Sequence, residues 1–403
     1  MKTKTISLIL FSFIFSLFSC EQKSKNNIGT ITSKATVIDL SEFKKLVKDN
    51  GSVIKDVHFF QLETNEKSLI GNVNKVLATD DNILILDNRS ANSVFNFDHF
   101  GKYLGKINGQ GNGPSEYNFL EDMDLDSDGN LYLLDLRKGD ILKFLIDGKF
   151  IKKQKFGFMT YKFGVLEKGS YIFDQGTRDN TIFKNDVGLD YKLVIWNPSL
   201  QKLNKFLEYT DIYDSPRYPL PNTYNLYRSG NKLNYVKPYE YNIYEPISEN
   251  EIMSTYHIDF GENKVPKSFY SNYSNAKKAH NLLYDLRKTD YAFNIINIYE
   301  TSKYLCFNFT AGSSLHWVAV SKKDNSVYVR DLSKMALEDY PFLLLPQAVL
   351  NDEFITILTP EAIQYYVDLL GKDKLEETGL SILTEHKLNM NPILIRWSLK
   401  DSF

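Results

Sequence analysis

Asp81-Asn82-Ile83-Leu84-Ile85-Leu86-Asp87 and Asp128-Gly129-Asn130-Leu131-Tyr132-Leu133-Leu134-Asp135 decide the fold. Each is a polar turn running into a β-branched and aromatic stretch, the signal of a strand entered from a tight turn. Residues 168–174, 229–235, 302–308 and 351–357 repeat the pattern. A strand–turn–strand unit recurring at about 40 to 50 residues, stretched in places by insertions, has the period of propeller blades.

Patterning around these units lays out four antiparallel strands per blade. The first blade takes 73–79, 82–87, 93–97 and 102–107; the second takes 120–126, 130–135, 141–146 and 149–156. The third takes 161–166, 170–174, 192–196 and 202–208, the fourth spans 223–259 and the fifth 294–331. The sixth has 345–350, 353–358 and 393–399 but no outer strand, and the orphan strand 54–62 fills that gap. The expected fold is therefore all-β, a six-bladed β-propeller closed by an N-terminal strand. Closure removes the exposed edges that template aggregation. An open sandwich would leave the C-terminal strand without a partner.

The first twenty residues give an address. Lys2 and Lys4 precede an apolar run over 6–18, too short for a membrane-spanning helix of about 20 residues. The run ends in Leu17-Phe18-Ser19-Cys20, which looks like a bacterial lipobox, making 1–19 a lipoprotein signal peptide and Cys20 the lipidated residue. Several acyl chains give stable anchoring where one gives marginal binding. Residues 20–36 are polar and read as lipidated cysteine plus flexible tether, with the propeller over 37–403. The expected location is the outer membrane or cell surface. With Cys20 acylated, Cys306 is the remaining thiol, so no intrachain disulfide forms. Its place between Leu305 and Phe307 makes it a small buried hydrophobe.

A net charge of −2 with interspersed signs leaves no basic footprint for nucleic acid. The 26 Tyr and 27 Phe supply inter-blade packing, so aromatic content alone marks no glycan site.

The runs Phe97-Asp98-His99-Phe100-Gly101-Lys102 and Gly109-Gln110-Gly111-Asn112-Gly113-Pro114-Ser115-Glu116-Tyr117 resemble the six-bladed β-propeller lipoproteins common in Bacteroidetes. Tyr256-His257-Ile258-Asp259-Phe260-Gly261, followed by Val265-Pro266, matches their later pattern. The resemblance covers nearly the whole mature chain and implies the fold. It brings little function with it.

Strand polarity separates two ends. First-to-second and third-to-fourth turns share one end and are tight. Second-to-third loops and blade crossings share the other, which collects the long insertions 109–119, 175–191, 210–222, 261–293 and 359–392. Long loops in compact domains are usually functional, which points to the loop-rich end as the working face. Within it, 268–288 and 360–370 read as short helices, with Thr359-Pro360-Glu361 as a cap.

Arg89, Arg137 and Arg178 each follow a second strand on three consecutive blades. They could clamp an anion bidentately, or each could salt-bridge a neighbouring blade's aspartate, for instance Asp87 or Asp135. With Glu116 and Tyr117 of the glycine-rich crossing, they are the candidate ligand-binding residues. That crossing either turns backbone N–H groups toward an anion or is a chain crossing with Tyr117 anchored in the core. Asp124-Leu125-Asp126-Ser127-Asp128-Gly129 begins like a calcium loop, and Asp135 falls twelfth, but an Asp-Gly-Asn hairpin explains it without metal. The six histidines have no ligand spacing, and no Ser-His-Asp motif or phosphate loop is present. The expectation is a membrane-anchored binding or scaffold module taking a small anionic or glycan ligand or an envelope protein. The alternative is a lyase or hydrolase with its site in the central funnel.

Overall fold

The computed structural model describes residues 25–48, 53–158, 160–175, 191–208, 225–273, 281–336, 339, 341–377 and 380–401. Six sheets form a β-propeller. From inner to outer strand, the first blade is Lys75–Ala78, Ile83–Asp87, Ser93–Phe97 and Tyr103–Ile107, and the second is Leu120–Leu125, Leu131–Asp135, Asp140–Phe144 and Phe150–Lys155. The third is Lys162–Val165, Tyr171–Asp174, Tyr191–Asn197 and Lys202–Glu208, and the fourth is Leu226–Ser229, Lys232–Val236, Asn242–Ser248 and Glu251–Asp259. The fifth is Ala292–Glu300, Tyr304–Ala311, Ser314–Ser321 and Val327–Asp331. Ala348–Leu350, Glu353–Leu358 and Ile393–Leu399 make the sixth, and Ile54–Gln61 completes it, antiparallel to Ile393–Leu399 as expected.

The second strands are apolar throughout because both their faces are buried between blades. Leu84 and Leu86 pack toward Leu131 and Leu133 of the second blade, while Ile83 and Ile85 pack toward Ile355 and Ile357 of the sixth. The core is thus a ring of inter-blade layers. Cys306 lies buried in one of them, as expected for a packing residue.

The stretch read as a tether is in part sheet. Lys25–Ile28 adds to the outer edge of the third blade, pairing in parallel with Lys202–Lys205. Thr30–Asp39 does the same on the fourth blade against Glu251–Asp259. Val47 then bridges to Val329 of the fifth blade, and Ile54–Gln61 enters the sixth. The N-terminal segment is a strap around four successive blades. Gly29, between its first two strands, lies so close to Phe206 that a Cβ there would meet the ring at 2.0 Å.

The helical insertions fall at the loop-rich end. Thr359 accepts from the Ala362 N–H at 3.4 Å and caps Pro360–Leu370 as its sequence indicates. Lys267–Ser271 and Leu282–Leu286 are the described helices of the other insertion.

Candidate functional site

At the loop-rich end, an aspartate closing the second strand organises the backbone in two successive blades. Asp87 Oδ2 accepts from the N–H groups of Gly71 and Asn72 at 2.8 and 3.0 Å, and Oδ1 from those of Arg89 and Ser90 at 3.2 and 2.8 Å. Asp135 repeats this with Asn118 at 2.7 Å, Phe119 at 3.4 Å, Arg137 at 3.0 Å and Lys138 at 3.2 Å. Both carboxylates are fully buried. The arginine–aspartate pairing considered above is therefore corrected: Arg89 and Arg137 reach Asp87 and Asp135 through backbone N–H, not through guanidinium. A buried carboxylate needs fixed donors beside it, and a turn two residues away supplies them at lower entropic cost than a long side chain. Both side chains are exposed, and the Arg137 guanidinium sits 5.4 Å above the Phe119 ring. Arg178 lies outside the described residues.

The glycine-rich crossing is anchored in the core. Tyr117 is fully buried and its hydroxyl is 2.9 Å from the Asn92 carbonyl. Glu116 Oε2 accepts from the Gly113 N–H at 2.7 Å, and a Cβ on Gly111 would meet that oxygen at 2.1 Å. Lys138 donates to the Gly111 and Glu116 carbonyls, and Lys153 to those of Gly113 and Glu116. The loop presents carbonyls to two lysines, which is opposite in polarity to an anion cradle.

Charged groups instead pair on and between the inner parts of the blades, and Lys75, Asp126 and Arg228 among them line the central channel. Lys75 reaches Asp122 at 2.9 Å, and the Arg228 guanidinium binds Asp124 at 2.7 and 2.6 Å. Asp126 accepts from Lys143 at 2.9 Å and from Asn130. Burial would raise its carboxyl, but the bonds to Lys143 and Asn130 outweigh that and hold it below the usual range. Glu300 sits between Lys322 at 2.8 Å and Lys232 at 3.2 Å. Burial again opposes ionisation there, and the two lysines overcome it. Asp124 and Asp126, the head of the calcium-like run, thus serve separate cations. Among the described residues no group of three His, Cys, Asp or Glu is placed to hold a metal.

The channel widens into a cavity of about 730 Å³ at the tight-turn end. Its wall includes Asp80, Asp128, Arg228, Asn231, Asn297 and Gln347. A groove of about 760 Å³ between the third and fourth blades shares Asp126, Ser127, Arg228 and Asn231 with it. The walls of both include tight turns, 79–82 and 126–129 in the channel and 199–200 and 249–250 in the groove, at the end opposite the long loops, and the channel cavity also reaches Asn74 and Pro346 at the other side of the inner strands. Of the loop-rich end, 176–190, 209–224 and 274–280 lie outside the described residues.

A family model, the domain of unknown function DUF4934, matches residues 27–397. The chain belongs to that family. A candidate exported protein of Bacteroides fragilis is similar to this DUF4934 chain in structure, at TM-score 0.71 and 21% identity over 91% of this chain and 100% of its own. At that identity the likeness shows the fold. A DUF4221 protein from Bacteroides vulgatus follows at TM-score 0.48 and 9% identity, covering 88% of this chain and 99% of its own. A virginiamycin B lyase from Staphylococcus aureus stands at TM-score 0.39 and 9% identity, over 86% and 99%. Neither carries an argument about function. No curated protein matches the sequence.

Two features of this DUF4934 chain escaped sequence reasoning. The buried aspartates had a signal, since Asp87, Asp135 and Asp174 recur at the ends of successive second strands. Arg228 and Asn231 had none, because their role depends on which inner strands meet across the channel.

Proposed function

We propose that this protein is a lipid-anchored envelope protein whose propeller is a binding or scaffold module, with the channel mouth as its recognition site. One observation carries the reading. The carboxylates at and beside the mouth are bound to fixed cations, buried Asp124 to Arg228 and partly buried Asp126 to Lys143. A general acid or base needs a group poised near the working pH, whereas Asp126 is held below the usual carboxylate range by its bonds to Lys143 and Asn130. A polar funnel of several hundred Å³ is the size of a small-molecule site, and a small anionic or glycan ligand, or an envelope protein's side chains, would fill it.

The lipobox at Leu17–Cys20 supports the anchor. Thermal-shift screening of sugars, organic anions and peptides on the chain from residue 21 tests the binding site. A hit abolished by filling the mouth with Asn231→Trp supports the reading. A hit converted to a new product by mass spectrometry would replace it with the lyase or hydrolase. Fractionation tests the anchor: Cys20→Ala should leave the membrane at high salt.

A further inference from the structure

We propose that the tight-turn end of the propeller docks on a phospholipid bilayer, with the channel mouth facing the lipid. The inference rests on lipidation of Cys20, and two independent observations carry it further.

The first is chain length. Lys25 pairs with Lys202, the first residue of an outer strand that begins at a third-to-fourth-strand turn. The strap therefore enters at the tight-turn end, and its parallel register sends the chain away from that end. Cys20 precedes Lys25 by five residues, a reach of at most about 18 Å fully extended. Turning the loop-rich end to the membrane would require those residues to double back along a blade about 20 Å deep, which consumes the whole reach.

The second is the rim itself. Third-to-fourth-strand turns of three consecutive blades each expose a large apolar side chain, Phe100 at 71%, Leu145 at 37% and Leu200 at 62%, and in the fourth blade Ile247, next to last in the third strand, is exposed at 47%. Isolated exposed apolar residues are ordinary, but one in or next to the same turn of four neighbouring blades forms an arc on one end. Lys102 and Lys149 are exposed beside the first two tips, in the manner of side chains that flank an interfacial apolar contact. Acidic groups are present as well, and Asp98 and Asp147 fold back onto N–H groups of their own turns. Attraction is therefore mainly apolar, and anionic lipid should add little. The fifth blade's turn carries Lys322, Lys323 and Asp324 instead, so the arc ends there.

Docked this way, the channel mouth opens at the bilayer surface, and whatever it binds is met there: a lipid headgroup or a membrane-borne partner rather than a solute of the bulk phase.

Environment-sensitive probes decide the question. The lipidated full-length mature chain, carrying one probe at Leu200→Cys or at Ser90→Cys, is placed on phosphatidylcholine vesicles containing lipid-borne quenchers. Leu200 is at the tight-turn end and Ser90 at the loop-rich end, and buried Cys306 stays unlabelled. The expected result is a blue shift and several-fold quenching at Leu200→Cys and neither at Ser90→Cys. Adding Phe100→Ser, Leu145→Ser and Ile247→Ser should abolish the Leu200→Cys signal with the melting temperature unchanged. Quenching at Ser90→Cys, at both sites equally, or at neither overturns the proposal. The mass of the N-terminal peptide reads lipidation separately. If Cys20 carries no acyl chain, the anchor reading fails, and the same probes on a hexahistidine-tagged chain held by nickel-chelating lipid still report the docking face.

Discussion

Arg228 of the fourth blade and Asp124 of the second are joined across the third: the guanidinium that holds the carboxylate also donates to the Val165 carbonyl at 2.7 Å, while Asp124 accepts from the Val165 N–H at 2.7 Å. Three inner strands are tied by one ion pair. Both side chains are nearly inaccessible, so removing one partner strands a buried charge. Asp124→Asn should destabilise the fold by about 3 to 5 kcal/mol in denaturant unfolding. Joint replacement by Asp124→Leu and Arg228→Met should recover most of that loss, because it leaves neither charge behind. Equal losses in the single and double variants would contradict this account.

Asp87 and Arg89 should separate cleanly. Removing the buried acceptor with Asp87→Ala leaves four backbone N–H groups short of a partner, a loss of about 3 kcal/mol or more. Arg89→Ala keeps its N–H in place and should stay within about 0.5 kcal/mol of wild type. Asp135 and Arg137 should behave in the same way. Melting curves of the four variants check the pattern.

Glu300 makes stability depend on pH with a defined sign. Its folded value lies below the ordinary 4.5, so its contribution is complete above about 4.5. It is lost as pH falls through the lower folded value. Comparison with Glu300→Gln should show a constant deficit between about pH 6 and 8. The deficit should narrow on acidification below the ordinary value. A deficit that grows on acidification would reverse the assignment.

Gly29 is held to a hydrogen side chain by Phe206. Gly29→Ala should lift the strap off the third blade, costing about 1 to 3 kcal/mol, the range for a forced overpacking. Protease should then cut ahead of Thr30 faster than in wild type, with the rest of the propeller intact.

Cys306 is fully buried, and burial pushes its thiol well above the ordinary range. In a Cys20→Ala chain it should resist thiol reagents while native and react fully once unfolded. Rapid labelling of the native chain would show that the fifth blade opens locally.

The propeller was legible because Ile83–Asp87 and Leu131–Asp135 are apolar on both faces, a pattern that inter-blade burial imposes on the sequence directly. The closing strand Ile54–Gln61 could be found by counting, since the sixth blade was one short. The strap could not. Thr30–Asp39 is mostly exposed and pairs through its backbone, with Ile31 and Val37 facing solvent, so its apolar residues outline no buried face. The arginine repeat has a structural partner that patterning did not show: Asp87 and Asp135 hold the main chain two residues on through its N–H groups. The channel mouth depends on which turns converge across the ring, and local patterning does not encode that.

The pairing of Ile54–Gln61 with Ile393–Leu399 also sets an order of events during biosynthesis. A chain that emerges N-terminus first presents Ile54–Gln61 at the outset, while its partner is among the last segments made. Joining them closes a loop of more than 300 residues, and contacts so distant in sequence slow folding. Until then blades can stack but the ring stays open, so a ribosome that stops a dozen residues early releases a chain in which Ile54–Gln61 has no strand to pair with.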